Sequence, residues 1–316
     1  MVIRGLPYRN RYPLNALRLL SVSSALFIAA CSGERITKGG PPAVTISITP
    51  DSKSLFSGQI VQFVATARDA SGNPILGASY SWSSSNPASV TIARDGKAAG
   101  LAFGSSTISV ASQGITASAV VQVLHDPVVF VHGFQASGAI WTTMIDRLKA
   151  DGWADSLLVT WTYDSNQSNV ATAQLLKTKV DSLLAVTGAT KVDIITHSMG
   201  GLSSRYFEKN FSGSEKTDAL VFLGTPNHGT ALAELCGIQS CLEMRPGSSF
   251  LVALNAGDET PGSTRYATWR TPCDQVTIPP ESVMLEGANN TETACMAHGD
   301  LYMNSTVYAQ VRDWIK

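Results

Sequence analysis

The sequence predicts two domains in tandem: a small all-β sandwich at residues 44–124, then an α/β domain with a mostly parallel, doubly wound sheet at residues 125–316. Alternating apolar and small polar residues, typical of half-buried strands, predict the first domain. The second is predicted from the apolar run 127–131, typical of a strand buried on both faces of a parallel sheet. Strand and helix patterns then alternate to the end of the sequence, an order that favours βαβ units.

Residues 1–31 have the pattern of an export signal. Four arginines precede an apolar stretch at residues 19–30, which is too short to span a bilayer. The junction Ile28-Ala29-Ala30-Cys31 resembles the lipobox of bacterial lipoproteins. This resemblance implies that lipid attached to Cys31 anchors the protein to a membrane. Because Ser32 follows instead of an aspartate, we expect an outer-membrane or cell-surface lipoprotein. The alternative is an ordinary signal peptide and a secreted protein.

Residues 32–43, which contain Gly39-Gly40-Pro41-Pro42, are predicted to be a linker before the sandwich. Strands of the sandwich are predicted at residues 44–48, 60–65 and 106–110. Trp82 is expected to lie in its core. This domain resembles the bacterial Ig-like domain, group 2, in the segments 69–74, 80–87 and 100–104. The sequence assigns it no chemistry and no partner.

The α/β domain is predicted to alternate strands with helices. Helices are expected at residues 139–150, 170–186, 199–209 and 305–315. Strands are expected at residues 127–131, 157–163, 192–196, 219–223, 265–269 and 283–286. In such a sheet the reactive groups collect at the carboxyl ends of the strands.

Ser198 is the candidate nucleophile. It follows the apolar strand 192–196 in the run Thr196-His197-Ser198-Met199-Gly200-Gly201, immediately before a predicted helix. A serine hydroxyl needs such a sharp strand-to-helix turn, a neighbouring base and oxyanion donors to become reactive. Thr196 departs from the G-x-S-x-G pattern, but the glycines that follow the serine and the strand–helix context fit it.

The acid and the base are expected after Ser198 along the chain, in that order. His228 and His298 are the histidines that follow the serine, and we favour His298 because it lies in a loop before the last helix. Asp258 would lie at the amino end of the strand 265–269, whereas Asp274 follows its carboxyl end. Asp274 is therefore the candidate acid, with a solvated turn residue as the alternative interpretation.

The oxyanion of a reacting ester needs two backbone N–H groups. Met199, the residue after the nucleophile, is expected to supply one. Phe134, in the loop after the first strand of the α/β domain, is expected to supply the other. Gly133 would let this loop approach the substrate, and His132 is expected to hold the loop in shape.

Composition excludes several function classes. The net charge is −1 and no basic run interleaved with aromatic residues is present, so we expect no nucleic-acid partner. No metal-binding motif occurs, and the expected chemistry needs no metal and no cofactor. If Cys31 carries lipid, four cysteines remain for two disulfides in an exported protein. Of the three possible pairings, sequence order favours Cys236 with Cys241 and Cys273 with Cys295.

The α/β domain resembles the small secreted bacterial lipases of the class 2 lipase family. The resemblance rests on Val131-His132-Gly133-Phe134, on 192–194 followed by His197-Ser198-Met199-Gly200-Gly201, on Cys273-Asp274 and on Ala297-His298-Gly299. It implies an α/β-hydrolase fold, a triad of Ser198, Asp274 and His298, an oxyanion hole of Phe134 and Met199, and a lipid or other ester substrate.

The resemblance leaves the substrate open. A triacylglycerol lipase is the first hypothesis. A carboxylesterase acting on short-chain or polysaccharide acyl esters, and a surface-binding protein with an inactive hydrolase domain, are the alternatives. Residues 230–261 are additional to the family pattern, and we consider them as a candidate lid.

Overall fold

An all-β sandwich precedes the α/β domain in the computed structural model, which describes residues 41–316. Its strands are β1 (Thr45–Thr49), β2 (Ser52–Leu55), β3 (Ile60–Gln62), β4 (Val64–Arg68), β5 (Ser81–Ser84), β6 (Val90–Ile92), β7 (Lys97–Gly100), β8 (Gly104–Ser112) and β9 (Ile115–Val123). They form a sheet β2-β9-β8-β5, a sheet β3-β7-β6 and the pair β1-β4. Trp82 packs against the core of the sandwich, with its ring 6.4 Å from that of Phe63.

The signal-like residues 1–31, Cys31 and most of the predicted linker lie outside the described residues. Within residues 41–316, no helix is long and apolar enough to cross a membrane.

The α/β domain is built on a six-stranded sheet whose neighbouring strands are all parallel. Its strands are β10 (Val128–Val131), β11 (Leu158–Thr160), β12 (Val192–His197), β13 (Thr217–Leu223), β14 (Arg265–Arg270) and β15 (Asn289–Glu292). The spatial order is β11-β10-β12-β13-β14-β15. From β10 the chain adds β11 on one side and then β12 and the later strands on the other. The gap between the carboxyl ends of β10 and β12 is therefore a topological switch point.

Helices cover both faces of this sheet, as the sequence predicted. They are α1 (Thr142–Ala150), α2 (Asn169–Thr187), α3 (Gly200–Asn210), α4 (Gln239–Met244), α5 (Ser249–Asn255) and α6 (Ser305–Trp314). Successive residues of β10 alternate between two apolar clusters: Val129 and Val131 join the cluster under α2 and α3, and Val128 and Phe130 join the cluster under α1 and α6. Burial on both faces explains the uninterrupted apolar run in this strand.

Three predicted strands differ from those in the structure. In the sandwich, the strand expected at residues 60–65 is divided into β3 and β4, which pair with β7 and β1 in different sheets. The prediction of a strand at residues 283–286 was wrong: a 3-10 turn, Pro280–Val283, occupies its start, and the edge strand is β15. Val283 and Leu285 are apolar and buried although they do not lie in a strand. The true edge strand, β15, is polar and mostly exposed. The strand expected at 157–163 is shorter, because a 3-10 turn, Asp155–Leu157, precedes β11.

The sandwich packs against the amino-terminal side of the α/β domain. The ring of Phe103 stacks on that of His125 with centroids 3.6 Å apart, and His125 stacks on Trp153 at 3.4 Å. Burial, with a smaller contribution from the charge of Lys316, lowers the pKa of His125 to about 4, so the stacked imidazole is neutral at pH 7. Since His125 lies shortly before the amino end of β10, this contact lies at the end of the sheet opposite the switch point.

Two carboxyl groups lie near the amino ends of β10 and β12. Asp193 is 1% exposed, and its Oδ1 accepts a hydrogen bond from the N–H of Ala219 at 3.1 Å. Burial, together with the charges of Asp126 and Asp218, raises its pKa well above the ordinary value. Burial and the charge of Asp218 likewise raise the pKa of Asp126 to about 7. Ionising these groups therefore opposes folding.

We expect Asp126→Asn to stabilise the protein at pH 8 and to change its stability little at pH 4. A carboxyl group with a raised folded-state pKa makes folding less favourable as the pH rises from the unfolded value, near 3.9, to the folded one. Asparagine avoids this cost, and the expected gain at pH 8 is on the order of 1–3 kcal/mol.

The measurement is the melting temperature between pH 4 and pH 8, with the exposed Asp51→Asn as the matched control. A stabilisation of equal size at both ends of the range would contradict the assignment to Asp126 ionisation.

Candidate active site

Ser198 lies in a strained turn between β12 and α3. Its φ of 53° is in the left-handed region that residues other than glycine rarely adopt. The Ser198 N–H donates to the carbonyl of Leu223 at 2.9 Å, and the Gly201 N–H donates to the carbonyl of Ser198 at 3.1 Å. The turn thus places the hydroxyl at the carboxyl end of β12, beside the switch point.

Two glycines let this turn pack directly against the loop that follows β10. A Cβ atom on Gly133 would lie 2.7 Å from the Cβ of Ser198, and one on Gly200 would lie 2.4 Å from the carbonyl oxygen of His132. Neither position accepts a side chain without moving the backbone. The close contact of the two loops therefore depends on both glycines.

His298 and Asp274 form a buried hydrogen-bonded pair. Nδ1 of His298 lies 2.8 Å from Oδ2 of Asp274. Oδ1 of Asp274 accepts the N–H groups of Val276 and Thr277 at 2.8 and 2.9 Å. Because a carboxylate only accepts hydrogen bonds, Nδ1 of His298 carries the proton and Nε2 presents its lone pair. Nε2 is buried and has no hydrogen-bond partner within residues 41–316.

The environment of Asp274 keeps its carboxyl group ionised. Burial by itself would raise its pKa. The hydrogen bond and charge of His298 and the N–H groups of Thr277 and Val276 outweigh that effect, so the pKa lies below the ordinary value. A charged acceptor on Nδ1 fixes the tautomer of His298 and stabilises its protonated form.

His197 packs against His298, a contact that sequence reasoning missed. The two rings are 4.6 Å apart, and Nε2 of His197 lies 3.2 Å from the carbonyl oxygen of His298. Since a carbonyl accepts, Nε2 of His197 carries the proton. Burial, and then the charge of His298, lowers the pKa of His197 to about 3, so it stays neutral. The sequence feature that could have indicated a role for His197 is its position at the end of β12, directly before Ser198.

Gly224 also positions His298. Its φ is +64°, and a Cβ atom on it would lie 2.9 Å from Cε1 of the imidazole. The ring of His298 therefore lies between the backbone after β13 and the ring of His197.

The predicted oxyanion donors lie beside the nucleophile. Phe134 and Ser198 line the same cavity, and Met199 begins the turn into α3. The backbone N–H groups of Phe134 and Met199 make no hydrogen bond to any group between residues 41 and 316. Both remain available to an added acceptor.

The loop that carries Phe134 is held by a buried histidine. His132 donates from Nδ1 to the carbonyl of Gly133 at 2.8 Å and accepts the N–H of Tyr163 at Nε2 at 3.3 Å. The hydroxyl of Tyr163 donates to the carbonyl of His132. These bonds fix the loop in the way expected of His132.

The rejected candidates lie elsewhere. The side chain of His228 is 46% exposed and pairs with Glu259 at 3.0 Å. Asp258 is exposed and accepts the N–H of Thr260. In the described part of the chain, no three His, Cys, Asp or Glu side chains come together as a metal site.

Both predicted disulfides are present. Cys236 pairs with Cys241 at a Cα–Cα distance of 5.7 Å, and Cys273 pairs with Cys295 at 5.1 Å. The second bond connects the loop that carries Asp274 to the loop that leads to His298.

A cavity of about 200 Å³ opens beside Ser198, and its lining is almost entirely apolar. The candidate lid segment forms one wall of it through a 3-10 turn, Ala231–Leu235, and α4. Phe134, Pro226 and Val276 also line it. The site thus combines a serine in a strained turn, a buried imidazole–carboxylate pair and an apolar cavity.

Comparisons with known proteins agree with this architecture. The family model for "Lipase (class 2)" matches residues 125–311, and that for "Bacterial Ig-like domain (group 2)" matches residues 42–123. A triacylglycerol lipase from Burkholderia plantarii is 28% identical over 155 residues, covering 47% of this chain and 40% of that protein. A triacylglycerol lipase from Pseudarthrobacter phenanthrenivorans is 29% identical over 126 residues, 38% of each chain. The chain thus aligns with about two fifths of the length of these relatives.

Solved structures share the fold of the α/β domain. The mature lipase BlEst2 of Bacillus licheniformis superposes with a TM-score of 0.55 at 16% identity, over 61% of this chain and 92% of that one. Lipase B of Aspergillus fumigatus superposes with a TM-score of 0.53 at 16% identity, over 60% and 52%. Since the lipase match spans more than half of the chain, the protein belongs to the class 2 lipase family, with an Ig-like domain preceding its α/β-hydrolase domain.

Proposed function

We propose that the protein hydrolyses carboxylic esters through a covalent acyl-enzyme on Ser198, with triacylglycerols as the substrate class. The observation that carries the proposal is the buried pair of His298 and Asp274, which leaves Nε2 of His298 unpartnered among the described residues. That nitrogen is the atom that a serine nucleophile needs as its base. Ser198 lies next to the residue on which the ring of His298 packs.

In the first half of the proposed reaction, Oγ of Ser198 attacks the ester carbonyl carbon while Nε2 of His298 accepts the hydroxyl proton. Asp274 stabilises the imidazolium that forms. The N–H groups of Phe134 and Met199 donate to the oxyanion of the tetrahedral intermediate. The C–O bond to the leaving alcohol then breaks, and His298 returns the proton to that alcohol.

In the second half, water attacks the acyl carbon of the Ser198 ester. His298 accepts a proton from the water and then returns it to Oγ of Ser198 as the C–O bond breaks and the carboxylic acid leaves. In this cycle the imidazole of His298 takes up each proton, and the carboxylate of Asp274 and two backbone N–H groups stabilise the charges that form. The proposal therefore includes no metal and no cofactor.

The substrate class rests on two observations. The curated relatives are named triacylglycerol lipases, and the cavity beside Ser198 is apolar, as an acyl chain requires. The small volume of that cavity favours a second candidate function, a carboxylesterase of short acyl chains.

We expect Ser198→Ala to lower kcat for p-nitrophenyl butyrate by a factor on the order of 10⁴ or more, because the acyl-enzyme can no longer form. Ser212→Ala is the matched control, since Ser212 also has a positive φ, 55°, but is exposed. Retention of parental activity by Ser198→Ala would overturn the proposal.

The choice of acid is tested in the same assay. Asp274→Asn is expected to lower kcat by about 10⁴ through loss of the correct tautomer, whereas Asp258→Asn is expected to retain the parental value. The reverse pattern would assign the acid to Asp258.

His197 is proposed as a positioning residue for His298. Its Nε2–H holds the carbonyl of His298, and its neutral ring packs against the imidazole without opposing its protonation. A positively charged group in that place would disfavour the imidazolium.

We expect His197→Phe to lower kcat by roughly 10- to 100-fold with little change in KM, because a small displacement of the base slows proton transfer. His197→Gln, whose amide N–H₂ reaches the position of Nε2, is expected to recover most of the rate. Steady-state kinetics and the melting temperature of both variants separate positioning from stability. A rise in KM alone, or equal losses in both variants, would contradict this role.

We also propose that the protein is exported and anchored through lipid on Cys31. An Ig-like module and two disulfides are typical of proteins outside the cytoplasm. A single acyl chain binds a membrane only weakly. The proposed anchor at Cys31 would therefore carry several acyl chains.

Intact mass spectrometry of the membrane-extracted protein tests this anchor. The expected mass is that of a chain beginning at a lipidated Cys31, and Cys31→Ser is expected to abolish the modification. A chain with a free Cys31 thiol, or one cut after that residue, would contradict it.

A further inference from the structure

We propose that a covalently closed wall, residues 231–244, sets the length of the acyl chain that the site accepts. The preferred acyl groups would have up to about eight carbons. This inference rests on the proposed function, since it concerns the acyl chain of the ester that Ser198 attacks. The wall combines the 3-10 turn Ala231–Leu235, the connection to α4, and α4 itself.

The inner surface of the wall is buried and apolar. Ala233, Cys241 and Met244 line the cavity and are 4%, 2% and 6% exposed. Leu232 and Leu235 also line it, but they are 41% and 84% exposed, so they lie at its mouth. An acyl chain entering past the two leucines would end against the three buried residues.

The volume of the cavity limits how much of a chain can enter. The space is about 200 Å³, and an apolar cavity of about 150 Å³ holds the six carbons of benzene. By proportion the cavity takes about eight carbons. Longer chains would have to leave part of their length outside, over the exposed Leu232 and Leu235.

The wall is closed by a disulfide and by one arginine. Cys236, at the end of the 3-10 turn, is bonded to Cys241 in α4, and both line the cavity. The guanidinium of Arg245 donates to the carbonyls of Cys236 at 2.9 Å and Ala233 at 3.3 Å. The turn is thus tied to the middle of α4 and to the residue that follows this helix.

Buried hydrogen bonds tie α4 itself to the rest of the domain. The carboxylate of Glu243 accepts the backbone N–H of Asn169 at 2.6 Å and its side-chain amide at 2.9 Å, at the N-terminus of α2. A carboxylate is stabilised at a helix N-terminus. The amide oxygen of Asn169 in turn accepts the hydroxyl of Ser203 in α3 at 2.9 Å. Enlarging the cavity by moving α4 away from it would therefore break several buried hydrogen bonds.

The test compares kcat/KM for p-nitrophenyl butyrate, octanoate and palmitate between the parent and each variant. Because each variant is compared with the parent on the same ester, differences in ester solubility cancel. Ala233→Leu, which fills the cavity, is expected to lower the octanoate value about tenfold relative to the butyrate value. Met244→Ala, which enlarges the cavity, is expected to raise palmitate relative to butyrate by about tenfold.

The double variant Cys236→Ser/Cys241→Ser tests the closure. It is expected to raise palmitate relative to octanoate several-fold, since the wall is no longer closed covalently. Val252→Ala is the matched control, because Val252 is apolar and lies nearby on α5 but does not line the cavity. Melting temperatures confirm that each variant is folded.

The outcomes separate this inference from the proposed function. Loss of turnover in Ser198→Ala, together with chain-length profiles that respond to Ala233→Leu or to Met244→Ala as described, supports both. Ser198-dependent turnover with profiles that none of the wall variants changes would overturn the acyl-length inference alone. Absence of Ser198-dependent turnover of any ester would overturn the proposed function.

Discussion

The contact on which the whole site depends is the one between the serine turn and the loop after β10. Gly133 meets the side chain of Ser198, and Gly200 meets the carbonyl of His132, at distances that leave no room for a Cβ atom. This contact lies at the topological switch point of the sheet, where the carboxyl ends of β10 and β12 adjoin. Phe134, which follows Gly133, lines the same cavity as Ser198.

The remaining groups come from other carboxyl ends of the same sheet. Asp274 follows β14, and His298 lies in the last loop before α6. A disulfide between Cys273 and Cys295 connects the two loops. The imidazole is held in two ways. A charged acceptor fixes Nδ1, and packing against His197 and Gly224 orients the ring. The sandwich packs at the opposite end of the sheet and leaves this edge open.

Much of this arrangement could be predicted from the sequence, because burial on both faces of a parallel strand leaves a continuous apolar run, as in β10 and in residues 219–223 of β13. Polar edge strands leave no such pattern, which is why β15 was missed and residues 283–286 were misassigned. Chain order selected Ser198, Asp274 and His298 as candidates. His197 was not considered as the base because it precedes the serine. Its contact with His298 joins residues about a hundred positions apart, and only the fold shows it. The bonds of Glu243 to Asn169 were likewise invisible in the sequence.

We propose that Ser198 is a nucleophile activated by its surroundings. The most direct measurement is labelling of the purified protein with a fluorophosphonate, followed by mass spectrometry of the intact chain and of its peptides. We expect one label per molecule, on the peptide that contains Ser198. In the His298→Ala variant we expect no label within the time that labels the parent fully. Labelling of a different serine, or no labelling of the folded parent, would contradict it.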